Sequence, residues 1–371
     1  MSAPDADGDR AFMATAISLA RRNQGCTWPN PTVGCVVVKD GCVVGRGVTA
    51  PGGRPHAEPQ ALAQAADAAR GATVYVTLEP CNHTGQTPPC TEALIEAGVA
   101  RVVIACSDPF MRAGEGAERL RAAGTTVDVG VLEAAAHAVN AGFFMRLDQG
   151  RPLFTLKLAT TLDGAIATAR GESQWITGGA ARRQAHRLRA EHDAILVGAN
   201  TVLADDPALT CRLPGLSPRS PLRLVLDPRL RLSPASRLAQ GAGQNPIWVF
   251  TTVDPAGDGA AALSECGVRV IQLGEAENGG GLDLTAVAAT LGAEGLNSVL
   301  VEGGSAVAAG LLRAGLVDRL VWFHAGAVMG SDGLQAIAAL NLPGLDAMPR
   351  FRPIGHKTIG PDLMSEFEIE R

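Results

Sequence analysis

His56-Ala57-Glu58 and, further along, Pro80-Cys81 with Cys90 supply one imidazole, two thiols and a spare carboxylate. Two thiolates and an imidazole fill three of the four tetrahedral positions of Zn²⁺. The fourth stays open for a water whose pKa the metal lowers to roughly 7. Glu58 lies two residues beyond the histidine, where it can take a proton from that water and pass it to an amino group leaving an amidine-like carbon, without ligating the metal. The same residues admit a second arrangement. Structural zinc sites are closed by a fourth Cys or His, and His83, two residues after Cys81, is the candidate for that position. The order His-x-Glu then Pro-Cys, each pair opening a helix, favours the catalytic arrangement.

The elements around these residues are set to hold them. Ala11 to Gln24 carries apolar positions at helical spacing, and Trp28-Pro29-Asn30-Pro31-Thr32 ends that helix before the β-branched run Val33 to Val38. Asp40-Gly41 separates this run from Cys42 to Val48, the pattern of a hairpin closed by a tight turn. Pro59 suits a first helical turn, so Glu58 to Ala69 is predicted to be a helix starting at the site. Ala72 to Leu78 reads as a strand running into Pro80-Cys81, and a helix over Thr91 to Ala97 follows Cys90. Thiolates near a helix N-terminus are stabilised by its dipole. Strands over Arg101 to Cys106 and Thr126 to Val131, separated by helical stretches, complete an α/β/α sandwich.

At 371 residues the chain exceeds what a single core usually supports, so two domains are expected, 1–148 and 149–371, parted near Asp148-Gln149-Gly150-Arg151-Pro152. Hydrophobic content of 46% with 19% charged residues describes a globular protein, and a net charge of -5 argues against a nucleic-acid partner. The acidic, polar segment Met1 to Asp9 has neither the basic start nor the apolar stretch of a secretory signal, and no apolar run approaches the ~18 residues of a membrane helix. A cytoplasmic location without membrane contact is therefore expected. Cys26, Cys35, Cys42, Cys106, Cys211 and Cys266 then read as free thiols.

With these residues in view, the first half resembles the cytidine deaminase superfamily. The eight-residue gap between Cys81 and Cys90, the ending Thr84-Gly85-Gln86-Thr87-Pro88-Pro89-Cys90 and Asn30-Pro31-Thr32-Val33-Gly34 are similar to its riboflavin-biosynthesis branch. The resemblance implies that Asn30 contacts the heterocycle and that Asn82 and His83 line the substrate pocket, which removes His83 from the spare ligands. Pro59 departs from the family pattern and changes no chemical group.

In the second half, strands are predicted over Leu153 to Leu158, Ala194 to Val197, Leu222 to Leu226, Ile247 to Thr251, Val268 to Leu273, Ser298 to Val301 and Leu320 to His324. Helices over Gly179 to Glu191, Leu284 to Glu294 and Ser305 to Ala314 sit between several of them. Val299 to Val301 runs through Glu302-Gly303-Gly304 into a helix, a turn that lets backbone amides approach phosphate oxygens or that simply connects strand to helix. No Gly-x-Gly-x-x-Gly follows a strand, which disfavours a Rossmann domain. Gly279-Gly280-Gly281 reads as a loop.

Leu156 to Gly164, Gly171 to Thr177, Val202 to Thr210 and the Val-Glu-Gly-Gly turn resemble the reductase partner of the same deaminase, a dihydrofolate-reductase-like α/β domain that uses NADPH. The resemblance implies that Ala159, Trp175, Thr201, Asp205, Gly304, Ser305, Ala306, Val307, Ala308, Ala309 and Gly310 contact the dinucleotide, and that Ser173, Arg189, Leu209, Arg212 and Glu302 face the substrate. Arg189 and Arg212 offer forked donors suited to a phosphate, or are solvated helix charges. Asp205 either handles the ribose-derived oxygen as hydride reaches the sugar carbon or caps the turn before Asp206-Pro207. Lys157 supports the site with its role open.

The expectation is thus a bifunctional enzyme. A zinc-dependent deaminase acts on a phosphorylated pyrimidine, and an NADPH-dependent reductase then reduces its ribosyl chain. The rival is a nucleoside or nucleobase deaminase with a non-catalytic NADP-sensing C-terminal half. A homo-oligomer, dimer or tetramer, is expected.

Overall fold

The structure, a computed structural model, describes residues 6–85, 88–109, 115–276 and 281–370. Met1 to Asp5, Gln86, Thr87, Gly279 and Gly280, named in the motifs above, lie outside them. The chain divides into two compact units, Met1–Gly150 and Arg151–Arg371.

In the first unit, strands β1 (Gly34–Lys39), β2 (Cys42–Val48), β3 (Thr73–Leu78), β4 (Arg101–Cys106) and β5 (Thr126–Val129) form one sheet in the order β2-β1-β3-β4-β5. The pair β1 and β2 is the hairpin that Asp40-Gly41 announces, and β3, β4 and β5 run parallel. Helices α1 (Ala6–Ala20), α2 (Ala57–Ala65), α3 (Cys90–Glu96), α4 (Gly116–Ala122), α5 (Glu133–Val139) and α6 (Ala141–Gln149) accompany it. Two glycines let α2 lie flat on β2. A Cβ added at Gly45 or Gly47 would fall 2.1 or 2.0 Å from the carbonyl oxygens of Ala61 and Ala57. On the other face α1 seats on Gly34, whose added Cβ would meet the Ala16 carbonyl at 1.9 Å. The helix predicted over Glu58 to Ala69 is interrupted, because Ala66 takes a left-handed φ of 47° and the chain continues as a 3₁₀ turn.

In the second unit β6 (Leu153–Thr160), β8 (Ala194–Gly198), β9 (Leu222–Leu226), β10 (Ile247–Thr251), β11 (Arg269–Gln272), β12 (Ser298–Val301), β13 (Arg319–His324), β15 (Phe351–Ile359) and β16 (Asp362–Ile369) form a nine-stranded sheet in the order β11-β10-β9-β8-β12-β6-β13-β16-β15. The first seven of these neighbours are parallel, and β16 and β15 extend them as an antiparallel hairpin. A small pair, β7 (Ala165–Ala167) with β14 (Leu334–Gln335), stands apart. Helices α7 (Gly179–Ala190), α8 (Ala199–Asp205), α9 (Arg237–Gln240), α10 (Asp258–Glu265), α11 (Leu284–Ala293) and α12 (Ser305–Arg313) connect the strands. Strands buried on both faces, such as β8 with all five residues buried, read as unbroken apolar runs. The adjacent strands β8 and β12 both end in turns into helices, so the Gly198 turn and the Glu302-Gly303-Gly304 turn lie side by side.

Candidate active sites

In the first unit His56, Cys81 and Cys90 converge, with ligand atoms all within 4.8 Å of one another. His56 is the N-cap of α2, Cys90 is the first residue of α3, and Cys81 stands on the loop leaving β3. Tetrahedral zinc sets its nitrogen and sulfur ligands about 3.6 Å apart, given its usual bond lengths. His56 Nδ1 lies 3.3 Å from Cys90 Sγ and 3.7 Å from Cys81 Sγ, so the donor set fits that ion. Cys81 is drawn down to about 4, first by the Cys90 thiol donating to it, with the Cys90 backbone N–H (3.4 Å) also assisting. The same contact pushes Cys90 up. Glu58, in the first turn of α2 and buried, is raised to about 6, chiefly by burial and also by the charge of Cys81. A half-buried thiolate and imidazole with a buried thiol and carboxylate are an arrangement that a divalent cation neutralises.

His83 does not join the cluster. Its Nδ1 is buried without a hydrogen-bond partner among the described residues, so the closed four-ligand arrangement does not form there. Asn82 accepts a hydrogen bond at Oδ1 from the Thr91 hydroxyl (3.1 Å), which leaves its NH₂ group as the free side of the amide. Asn30 is held in a turn with Thr27 and packs against Gly53, where an added Cβ would meet Asn30 Nδ2 at 1.8 Å and where φ is +86°. Gln60 donates to the carbonyls of Val48 (2.6 Å) and His56 (2.8 Å), tying the end of β2 to the start of α2.

In the second unit the expected substrate residues Arg189 and Glu302 meet in a forked pair, Nε to Oε1 at 2.7 Å and Nη2 to Oε2 at 2.8 Å, while Arg189 Nη1 donates to the Thr210 carbonyl at 3.1 Å. Lys157 Nζ approaches Glu302 Oε2 at 4.0 Å. Burial pushes the Glu302 carboxyl up, yet Arg189 and then Lys157 outweigh it and hold the group at about 2. Burial pulls Lys157 down. Arg189 is thus spent largely on Glu302 and is not the free phosphate fork that the sequence suggests. Arg212 is exposed and touches His186. Leu209 is buried with a left-handed φ of 54°, and Ser173 is half-buried in the loop before α7.

Of the residues expected at a dinucleotide, Gly304 and Thr201 face each other. A Cβ added at Gly304 would meet only Thr201 Oγ1, at 3.5 Å, so the space over this turn is otherwise open. Ser305, Ala306 and Val307 continue the first turn of α12 and keep some exposure. Ala308 and Ala309 are fully buried, so these two pack the core and offer a ligand no surface, while Gly310 keeps some exposure and backs onto Leu284. Trp175 is 65% exposed and carries the Arg182 guanidinium over its ring at 4.6 Å. Ala159 is half-buried on β6, paired with Phe323. Asp205 is exposed at the end of α8, and its neighbour Asp206 accepts from the Arg237 N–H at 2.9 Å.

The family model described as "RibD C-terminal domain" matches residues 152–365, and that of the "Cytidine and deoxycytidylate deaminase zinc-binding region" matches residues 6–106. The riboflavin biosynthesis protein RibD of Escherichia coli is 43% identical over 96% of this chain and 98% of its own length. That of Aquifex aeolicus is 43% identical over 97% and 98%. The chain belongs to the RibD family of riboflavin biosynthesis. RibD of Acinetobacter baumannii superposes with a TM-score of 0.89 at 34% identity, covering 99% of this chain and all of that one. A Thermotoga maritima diaminohydroxyphosphoribosylaminopyrimidine deaminase/5-amino-6-(5-phosphoribosylamino)uracil reductase superposes with 0.87 at 35% identity over 98% and 99%. Membership covers both halves, and the fold is the cytidine-deaminase-like unit followed by the reductase unit.

Two residues of this RibD-family chain escape sequence reading. Glu79 accepts from the backbone N–H groups of Ala117 (2.9 Å) and Asp108 (3.2 Å), and so fixes the loop bearing Pro80-Cys81 against the start of α4. Its position directly before Pro-Cys was the available signal. His186 gave no sequence signal beyond its spacing from Arg189 and is revealed only by contact with Arg212.

Proposed function

We propose that the first unit removes the 2-amino group of 2,5-diamino-6-ribosylamino-4(3H)-pyrimidinone 5′-phosphate, and that the second uses NADPH to reduce the ribosyl chain of the deaminated product to ribityl. The observation that carries this reading is the buried Glu58 carboxyl, raised to about 6, beside a His56, Cys81 and Cys90 cluster with zinc spacing. Zinc held by those three residues supplies the acidified water. Glu58 takes the water's proton and hands it to the departing amine, and a carboxyl poised near neutrality serves both transfers. Asn30, Asn82 and His83 are the residues assigned to the pyrimidine, with the NH₂ of Asn82 turned away from its Thr91 contact.

In the second unit the Gly303-Gly304 turn beside Thr201 would hold the pyrophosphate of NADPH, which would supply the hydride. Gly304, Ser305, Ala306, Val307 and Gly310 are the accessible part of the α12 run, with Ala159 and Trp175 further contacts. Glu302, fixed and ionised by Arg189, orients the substrate with Ser173, Leu209 and Arg212, and Asp205 attends the ribose-derived oxygen. The match of relatives across both halves favours this reading over a deaminase with a silent NADP-sensing domain. Among the described residues no helix is long and apolar enough to cross a membrane. A cytoplasmic homo-oligomer, dimer or tetramer, with small phosphorylated pyrimidines and no nucleic acid as partners, completes the reading.

The test is incubation of purified protein, assayed for bound metal, with the pyrimidine phosphate with and without NADPH, followed by product masses. Deamination alone without NADPH, and deamination plus two hydrogens with it, is expected. Deamination with no NADPH oxidation would restore the rival.

A further inference from the structure

Thr91, the second residue of α3, is fully buried and reaches back to the loop that carries the other cysteine. Its backbone N–H donates to the Cys81 carbonyl at 3.3 Å. Its hydroxyl lies 3.4 Å from that carbonyl and 3.1 Å from Asn82 Oδ1. The N–H before it, that of Cys90, points at Cys81 Sγ from 3.4 Å. Of these groups at the start of α3, the Thr91 hydroxyl is the one that meets the Asn82 side chain.

A threonine hydroxyl carries one proton. The Cys81 carbonyl already takes the Thr91 N–H, and Asn82 Oδ1 is the nearer acceptor, so the proton goes to Oδ1. Thr91 has no exposed surface, so bulk water does not compete for it. The consequence lies in the amide, which has nearly the same shape when turned end for end and then offers oxygen where it had offered NH₂. Such a turn would set the Asn82 NH₂ against the hydroxyl and send the proton to its longer contact. Thr91 thus selects one orientation, and the half-buried Asn82 turns its NH₂ away from Thr91.

We infer that Thr91 is a positioning residue for deamination. It makes position 82 a hydrogen-bond donor, so that Asn82 meets an acceptor of the pyrimidine, a ring carbonyl oxygen or an unprotonated ring nitrogen. This rests on the reading that the first unit deaminates a pyrimidine that Asn82 faces. Thr91 is not itself a metal ligand, and its effect on the substrate runs through the Asn82 amide.

The experiment uses the full chain with bound zinc and 2,5-diamino-6-ribosylamino-4(3H)-pyrimidinone 5′-phosphate. It measures zinc content and the kinetics of deamination in the wild type, Thr91→Val, Thr91→Ser, Asn82→Ala and the variant carrying both Thr91→Val and Asn82→Ala. Valine keeps the shape and loses the donor, so KM is expected to rise about three- to tenfold, as for one hydrogen bond between neutral groups. The turnover number should hold, because a contact to the ring is made alike in the ground and transition states. Serine keeps the hydroxyl and should stay close to the wild type. Asn82→Ala should raise KM by itself, and adding Thr91→Val to it should raise KM no further. If the two rises multiply instead, Thr91 acts elsewhere and the assignment is overturned. If Asn82→Ala leaves KM unchanged while the wild type deaminates, the placement of Asn82 at the pyrimidine falls and the role of Thr91 with it, the deaminase itself standing. A zinc-loaded wild type that does not deaminate brings down the reading of the unit together with this inference. Where Thr91→Val does not hold zinc, Thr91→Ala against Thr91→Ser isolates the hydroxyl, and equal KM values in these two overturn the assignment.

Discussion

Each unit buries one glutamate at the heart of its site, and the two are held at opposite ends of the carboxylate range. Glu58 is raised to about 6 and Glu302 lowered to about 2, although burial pushes both upward. The partners make the difference. Glu58 has an imidazole and thiols around it, one of them a thiolate that raises it further, whereas Glu302 is forked by Arg189 and approached by Lys157. A carboxyl raised toward neutrality by depth and a neighbouring thiolate can gain and lose a proton at working pH. One clasped by two cations cannot, and becomes a fixed negative anchor. Depth of burial therefore does not tell a proton carrier from an anchor; the charge of the neighbours does.

The comparison breaks most sharply at Glu58→Gln. An amide of the same shape keeps the packing and loses the proton transfer, so deamination should fall about 10²- to 10⁴-fold. Bound zinc and NADPH-dependent reduction of the already deaminated substrate should persist. Metal analysis with separate assays of the two steps checks this, and joint loss in a folded protein would mean the two units are coupled.

Glu302→Gln is the converse. It leaves Arg189 and Lys157 facing a neutral amide, and breaking a buried ion pair from one side costs about 3–5 kcal/mol. Denaturant unfolding of the second unit should show that loss while deamination by the first unit remains. The pH dependence follows from the lowered carboxyl. Relative to its ordinary 4.5, a folded value of about 2 stabilises the fold above about pH 4.5, and that contribution drains away as the pH falls toward about 2. The wild type should lose on the order of 3 kcal/mol across this window from this group, and Glu302→Gln should flatten that limb. An unchanged acid limb would mean that other carboxylates carry it.

What the sequence discloses follows the same division. Strands buried on both faces, such as β8, β9, β10 and β12, are continuous apolar runs and are legible almost to the residue. The β15 and β16 hairpin was not legible. Phe351–Ile359 is mostly exposed, carries Pro353 and alternates weakly, so nothing in its pattern marks a strand until β16 pairs with it. At the first site the ligands are near in sequence and each opens or precedes a helix, so type and spacing suffice to name them. At the second site Arg189 and Glu302 are 113 residues apart, and only the fold shows that they spend their charges on each other. A separation of 26 residues hides the contact of His186 with Arg212, and burial alone removes Ala308 and Ala309 from the cofactor run.

The smallest expected effect sharpens the contrast from the cofactor side. Gly304 has an ordinary φ of -66° with extended ψ, so a side chain there strains no backbone, and a new Cβ finds only Thr201 Oγ1 at 3.5 Å. Gly304→Val should therefore fold. What it fills is the space over the turn at the start of α12, where a pyrophosphate would accept from backbone amides. Loss of one such bond to a charged group corresponds to about a tenfold to hundredfold weaker NADPH affinity. Glu58 and its cluster lie in the other unit, so deamination should be unchanged, and Gly304→Ala should fall between the wild type and valine. Calorimetric titration of NADPH into the three proteins measures this. Equal affinity in a folded Gly304→Val protein would make the glycine pair a plain strand-to-helix connection and move the dinucleotide off this turn.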